Sequence, residues 1–444
     1  MQLKKIVAIF YCVYTFYILL VCWLTDISAL YIVPGLLALW TIYGFFAAGD
    51  RLAGRWVGRK PLHLELPRIL CLKPALRGFF WACGIVLAVM CSVLAIHFYT
   101  GQWPGSVVSN LHSGVSNYYI YQYYFKEHGA LSSVFARLPY ILMTAFSKFI
   151  FIYGVISWCQ LRKCTPRHLV MASLCCLGQV YISLGRGTNF EIYELTILVV
   201  FIVLKKCRFE LSLRQFGRAV VKPLMACLAA GLCLVCVYYI ILGTRHFYAT
   251  NVYVSQDIHY AEGSLPAQLL PELSLLVLNL FGYLGFGLYY ISSFINRVML
   301  RGPVELAAAF CPMGYRLLMG ESTSDIMERT IDIGVMWHPD FINAVDCLGL
   351  VGTLLLIALL GFFCGRLERS VPDAWTQMAG YLLLLQMLSF PVGTFVMCSS
   401  ANQLLICLLI AVFLLKPLPS GTLASSVSCY IKPENHFRRE QRYE

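Results

Sequence analysis

A guanidinium and two carboxylates lie between two hydrophobic segments of this chain, in an arrangement that could bind an anion. The run Gly185-Arg186-Gly187-Thr188-Asn189-Phe190-Glu191 interrupts an apolar stretch from Leu169 to Leu204, and Glu194 follows it. A guanidinium that cannot deprotonate is costly beside apolar spans unless an anion requires it there. The pattern predicts a membrane protein that binds a phosphate-bearing or acidic ligand at one bilayer face.

The composition places these residues in a polytopic membrane protein. Hydrophobic residues make up 59% of the chain, charged residues 13%, and the mean hydropathy is +0.72. An ordinary soluble protein has about 25% charged residues. The 19 cysteines do not indicate a disulfide scaffold, because many of them, such as Cys175 and Cys176, lie inside apolar runs.

Crossing the hydrocarbon core takes about 20 apolar residues. We therefore expect residues 1–444 to form one all-α polytopic integral membrane domain of about ten transmembrane helices, with a range of ten to twelve. The segment 273–292 is apolar enough to cross, but its glycines are also compatible with a re-entrant or interfacial helix. The expected spans are residues 6–24, 29–48, 78–98, 138–158, 167–184, 190–204, 219–242, 346–365, 374–394 and 401–416.

The distribution of lysine and arginine predicts the orientation of these spans. The basic connections 51–77, 162–167 and 205–218 belong in the cytoplasm, as do Lys4, Lys5 and the C-terminal tail 417–444. Both termini on one side require an even number of crossings. Two sizeable connections, 99–137 and 245–345, then lie on the opposite, periplasmic side.

The first of these connections is rich in aromatic residues. It contains the run from Asn117 to Phe125, in which Tyr121 and Tyr124 are candidate substrate contacts. Tyrosines here have two interpretations, an interfacial aromatic belt or a surface that stacks on sugar rings, and the sequence leaves both open.

The second connection is long and acidic, with nine of the 22 acidic residues of the chain. Loops of this length are commonly lids or binding elements, so we expect a substrate-covering segment. It begins with Arg245 and His246 and later contains Arg329 and His338, which are further candidate site residues.

Arg186 and Arg245 are predicted to lie at similar depth on the same face. Paired arginines suit a diphosphate, because guanidinium forks match phosphate oxygens and neutralise a charged leaving group. The alternative is that each arginine anchors a helix end to lipid headgroups. Lys148, inside an expected span, needs a partner; Glu191 and Glu194 are the candidates, and the pairing could be structural or functional.

Other chemistries find no support in the sequence. There is no phosphate-binding loop of the Walker type, no His-Glu-x-x-His and no nucleophile elbow, so we expect no metal and no cofactor. The basic loops fit the membrane orientation better than nucleic-acid binding. Asp346 precedes an apolar span and is interpreted as a helix cap, with a site residue as the alternative.

Three features together resemble the Wzy-type oligosaccharide repeat-unit polymerases of bacterial surface polysaccharides. They are the hairpin broken at Gly185–Thr188, the long late loop, and the segment Asn343–Gly352, which opens a span that ends at Gly361–Leu367. The stretch from Asp346 to Gly352 is similar to that family's Asp-x-Gly-x-x-Gly pattern, from which it departs by Leu348 standing before Gly349.

The resemblance implies a metal-independent glycosyltransferase in the bacterial inner membrane, and an arrangement like that of GT-C glycosyltransferases is compatible with it. Such enzymes transfer a glycan from undecaprenyl diphosphate to a sugar hydroxyl of the next lipid-linked unit, and a chain-length regulator is an expected partner. Arg186 and Arg245 would bind the diphosphate, and Glu191 or His246 would act as the base. The expected substrate contacts are Lys148, Glu194, Tyr121, Tyr124, Arg329 and His338.

Two alternative functions remain at this point. An O-antigen ligase would use the same donor and also has a large late periplasmic loop. A transporter or flippase for lipid-linked oligosaccharide is the other, although such proteins are often built from repeated halves and no internal repeat is visible here.

Overall fold

A computed structural model describes residues 3–56, 74–113, 116–124, 127, 134–159, 165–188, 190–206, 258–330, 339–369, 374–393 and 399–415. This part of the chain is helical, with one isolated bridge between Thr25 and Tyr260 and no strand. The helices are α1 Leu3–Leu24, α2 Ala29–Trp56, α3 Pro74–Thr100, α4 Pro104–Ser113, α5 Asn117–Tyr124, α6 Val134–Cys159, α7 Pro166–Cys175, α8 Leu177–Arg186, α9 Phe190–Lys206, α10 Leu265–Leu269, α11 Pro271–Leu284, α12 Phe286–Ser293, α13 Pro303–Phe310, α14 Pro312–Met319, α15 Thr323–Thr330, α16 Asp340–Glu368, α17 Ala374–Ser389 and α18 Ser400–Leu415; a π-helix, Phe294–Met299, continues α12.

The lengths of these helices confirm an all-α protein with apolar helices able to span a membrane. Within the described residues, α1, α2, α3, α6 and α16 are long and apolar enough to cross. The count rises to seven if two bent pairs each form one span, namely α7 with α8, bent by 41°, and α11 with α12, bent by 58°. The count of about ten stays a prediction, because α9, α17 and α18 are only 17, 16 and 16 residues long and the expected span 219–242 lies outside the described residues.

Helix α16 differs from its expected form in two ways. It begins at Asp340 after Pro339, and it is broken at Gly349, whose φ of 71° and ψ of 167° are not helical. The interpretation of Asp346 as a helix cap is therefore wrong: this residue lies inside the first part of α16 and accepts a hydrogen bond of 2.9 Å from Arg316.

Charged residues bring four helix ends together at what we call the Asp50 end of the bundle. Asp50, near the end of α2, is 2.6 Å from Lys4 Nζ and 3.6 Å from Arg369 Nη1, while the Leu3 amide donates to Glu368. Lys205, at the end of α9, interacts electrostatically with Glu368. The start of α1 and the ends of α2, α9 and α16 therefore meet on one side.

The opposite side, which we call the Arg186 end, contains the turn between α8 and α9. Because α9 runs towards the Asp50 end, its first residues lie at the far side of the bundle, beside the end of α3, where Gly185 packs on Ile96. The end of α1 lies on this side too, because α1 begins at the Asp50 end and runs for 22 residues. There the Ala261 amide donates to Leu24 O at 2.9 Å. Lys4 and the ends of α2 and α9 lie together at the Asp50 end, whereas most of the basic loops lie outside the described residues. The assignment of the two ends to cell compartments stays a prediction.

The described part of the predicted loop 245–345 is helical, and some of it belongs to the core. Every residue of α12 is buried. Ser292 Oγ accepts a hydrogen bond of 3.0 Å from the Gly35 amide and donates one of 3.2 Å to Ile32 O, which fixes α12 closely against α2. Both interpretations of 273–292, a crossing helix and a re-entrant or interfacial helix, stay predictions.

Candidate functional site

The turn that carries Arg186 is tight because Gly187 occupies the left-handed region. Gly187 ends α8 with φ 60° and ψ 31°, a conformation that costs other residues about 1–2 kcal/mol. The turn is closed by the Thr188 amide, which donates to Ser183 O at 3.2 Å, and by Ser183 Oγ, which donates to Thr188 O at 2.7 Å. A Cβ on Gly187 would lie 2.6 Å from the Tyr118 backbone nitrogen, so α5 packs directly on the turn.

The Arg186 guanidinium is held from two sides. Its Nη1 is 3.1 Å from Glu191 Oε1, and its Nη2 donates to the Tyr121 hydroxyl at 3.0 Å. The guanidinium carbon also lies 4.6 Å from the centre of the Tyr121 ring, a cation–π distance. The Arg186 side chain remains 28% exposed, whereas Glu191 is buried. A fixed, partly exposed cation therefore lies at this end of the bundle.

The same geometry defines what Glu191 does in this state. Its Oε1 binds Arg186, and its Oε2 accepts a hydrogen bond of 2.6 Å from Thr188 Oγ1. Both oxygens are thus engaged, and the carboxylate orients the guanidinium. The role of Glu191 as a general base stays a prediction.

Helix α5, from the predicted aromatic segment, forms a cover over the turn. Buried Asn117 fixes it there by donating to Leu184 O at 3.1 Å. Tyr121 contacts Arg186 on the inner side, and the Tyr124 ring packs on Gly101. Tyr119 and Tyr123 are exposed. The role of Asn117 in fixing α5 was not predicted from the sequence, because a single asparagine among aromatic residues does not indicate its hydrogen-bond partner.

A second polar network lies deeper in the bundle around Lys148 and Glu194. Lys148 Nζ is 2.7 Å from Glu194 Oε1 and donates to Asn402 Oδ1 at 3.0 Å and to Ser399 Oγ at 3.3 Å. Glu194 Oε2 accepts a bond of 2.7 Å from Gln179 Nε2, and Oε1 accepts a further one of 2.9 Å from Asn402 Nδ2. Both charged side chains are buried.

This network joins four helices, and it contains only one of the two carboxylates that were predicted as partners of Lys148. Glu194 pairs with Lys148, while Glu191, three residues earlier, turns to Arg186. Lys148 comes from α6, Glu194 from α9, Gln179 from α8 and Asn402 from α18. The pairing of Lys148 with Glu194 is observed, and substrate contacts for both residues stay predictions. Gln179 and Asn402 were missed, although an amide inside an apolar run is itself a signal.

The remaining predicted residues lie elsewhere. Arg329, on α15, forms an exposed ion pair with Glu321 that shares no residue with the Arg186 cluster. On the same helix, hydrogen bonds from Ser322 hold the pKa of the exposed Asp325 below its usual value. Arg245, His246 and His338 lie outside the described residues.

Within the described ranges, no group of three or more His, Cys, Asp or Glu side chains is placed to hold a metal ion. Comparison with protein-family models, with curated proteins and with solved structures gives no significant match. The chemistry of the site is therefore argued from the contacts of Arg186 and its neighbours.

Proposed function

We propose that this protein polymerises oligosaccharide repeat units carried on undecaprenyl diphosphate into a bacterial surface polysaccharide. One observation carries the proposal: Arg186 is fixed by Glu191 and Tyr121, yet remains partly exposed, at the bundle end opposite the Asp50 cluster. A cation prepared in this way suits a phosphate that approaches along the membrane boundary.

The hydrogen-bonding capacity of Arg186 supports a phosphate ligand. A guanidinium has five N–H donors, and the contacts with Glu191 and Tyr121 use two of them. Of the three donors that remain, the one on Nε is buried, while the two on Nη1 and Nη2 can bind phosphate oxygens as a fork. Since Glu191 balances the charge of Arg186 in the free protein, the site bears no isolated charge before a ligand arrives.

In the proposed reaction a sugar hydroxyl of one lipid-linked unit attacks the anomeric carbon of the glycan on another carrier. The bond from that carbon to the diphosphate oxygen breaks, and the hydroxyl proton passes to a base. Arg186 would stabilise the negative charge that develops on the departing diphosphate. Tyr121 and Glu191 would keep the guanidinium in place, which avoids reorganisation during the step.

A second candidate, a flippase or transporter for the same lipid-linked unit, is favoured by three different observations. Two helix pairs are bent by 41° and 58°, α16 is broken at Gly349, and the pair Lys148–Glu194 is buried inside the bundle. Broken helices and buried charges are features on which transporters rely.

Deletion of the gene in its host, followed by complementation, distinguishes these functions. Surface polysaccharide is run on a gel after expression of wild type, Arg186→Ala, Arg186→Lys or the control Arg301→Ala, which changes an exposed arginine 4.0 Å from Glu305. If the protein is a polymerase, the gel should show a lipid A core that carries a single repeat unit with Arg186→Ala and full-length polymer with Arg301→Ala.

Other results of this experiment would favour a different function. Units trapped on the cytoplasmic leaflet indicate a flippase, and lipid-linked polymer that is not attached to its acceptor indicates a ligase. Full-length polymer from a well-expressed Arg186→Ala protein would contradict any role of this arginine in polymerisation.

A further inference from the structure

Helices α13 and α14 expose an unusual amount of apolar surface. Leu317 and Leu318 are 82% and 86% exposed. Contiguous apolar patches of this kind are rare on surfaces that face water. The exposed large apolar side chains of this segment are Leu300, Val304, Leu306, Phe310, Met313, Leu317, Leu318 and Met319.

The two helices are joined at a break in the chain at Cys311 and both pack on α16. We call this bent pair the hairpin; it is too short to cross a membrane. Each has eight residues, about 12 Å at 1.5 Å per residue, so neither can span a hydrocarbon core of about 30 Å. The chain bends between them at Cys311 and Pro312. This bend sits on the break in α16, where a Cβ on Gly349 would lie 2.3 Å from Phe310 O.

The break in α16 gives the depth of the hairpin. From Leu350 to Glu368, α16 rises by about 27 Å at 1.5 Å per residue, close to the thickness of the hydrocarbon core. Glu368 belongs to the charged Asp50 end of the bundle, which marks one boundary of the membrane. Gly349, and the hairpin bend that touches it, therefore lie close to the opposite boundary.

The apolar face of the hairpin continues the exposed stripe of α16. On α16, exposed apolar side chains follow one another at helical spacing, at Leu348, Val351, Leu355 and Leu359. In a membrane-spanning helix such a stripe faces lipid. Arg316, which pairs with Asp346 across the two elements, has an exposed side chain that can reach headgroup phosphates from the edge of the apolar face.

We propose that α13 and α14 form an interfacial hairpin whose apolar face is inserted among the acyl chains of the bilayer leaflet at the Arg186 end. Its partner is lipid, because the hairpin surface joins the lipid-facing stripe of α16 at the depth of the membrane boundary. An amphipathic element with apolar side chains on one face and arginine at its edge is typical of such insertion. The inference is independent of the polymerase proposal.

Photocrosslinking tests this insertion directly. The benzophenone amino acid p-benzoylphenylalanine is introduced at Leu317 or at Leu318 of the full chain, in vesicles of phosphatidylethanolamine and phosphatidylglycerol. The control position is Glu262, an exposed polar residue at the same end of the bundle. Because all three positions are exposed, the replacements leave packing unchanged.

Mass spectrometry after irradiation should find phospholipid adducts at positions 317 and 318 and at least tenfold fewer at 262. Equal lipid labelling at all three positions would overturn the proposal. So would adducts at 317 and 318 that join only protein, which would assign this face to a second copy of the chain or to another protein.

Discussion

Replacing Lys148 by methionine should destabilise the protein by about 3–5 kcal/mol, the usual cost of leaving a buried charge without its partner. The Glu194 carboxylate would keep its bonds from Gln179 and Asn402 but lose the ammonium at 2.7 Å. If the contact were worth no more than an ordinary interhelical hydrogen bond in a membrane, the loss would be about 0.6 kcal/mol. The two magnitudes are far enough apart to be distinguished.

The free energy of unfolding can be measured by steric trapping in bicelles for Lys148→Met, Glu194→Gln and the double variant. The double variant removes both charges, so it should be more stable than the sum of the two single losses predicts. Lys5→Met, the same chemical change at an exposed lysine, serves as the matched control and should change stability by less than about 0.5 kcal/mol. A loss below about 1 kcal/mol for Lys148→Met, or strict additivity in the double variant, would refute the account of a buried, mutually dependent pair.

Three further predictions concern the turn, the broken helix and α15. Gly187→Ala should lower stability by about 1–2 kcal/mol and displace α5, since its Cβ would meet the Tyr118 backbone; unchanged unfolding and unchanged protease resistance of α5 would contradict this. Gly349→Ala should cost about 1–3 kcal/mol for its backbone conformation and loosen the hairpin that packs on it, measured as faster amide exchange in α13 and α14; unchanged exchange would contradict the docking. The pKa of Asp325 is lowered, so the stabilisation that its carboxylate gives α15 is present above the pKa of an unstructured aspartate and is lost as the pH falls through the folded-state pKa. A carboxyl titration by NMR should therefore show a pKa below that of an unstructured aspartate. An unshifted pKa would contradict the Ser322 contacts.

The early spans could be predicted from the sequence because about 20 consecutive apolar residues leave few alternatives. Residues 6–24, 78–98 and 138–158 were expected, and the helices run over Leu3–Leu24, Pro74–Thr100 and Val134–Cys159. The breaks within the helices were harder to predict from the sequence. The expected span 167–184 bends by 41° at Cys176, two residues before Gly178. Helix α16 breaks at Gly349, which is one of several glycines along the helix.

The candidate site was predictable in its residue types but not in its pairings. A charged residue inside an apolar run needs a partner. The sequence therefore indicates such partners for Arg186, Glu191, Lys148 and Glu194. Which carboxylate goes to which cation depends on how α9 rotates about its axis, and the three-residue spacing sends Glu191 and Glu194 to different neighbours. Asn402 lies 254 residues from Lys148 along the chain, so only the packing of helices brings it to the network.

Equilibrium binding of radiolabelled undecaprenyl diphosphate to the protein in nanodiscs tests the role of Arg186 most directly. Losing one charge-assisted contact of about 1.5–3 kcal/mol should raise the Kd roughly 10- to 100-fold in Arg186→Ala. Arg301→Ala should bind like wild type. The double variant Arg186→Gln with Glu191→Gln leaves no buried orphan charge and should show the same loss, which separates binding from misfolding. An unchanged Kd in both Arg186 variants would contradict the claim that this arginine binds the lipid diphosphate.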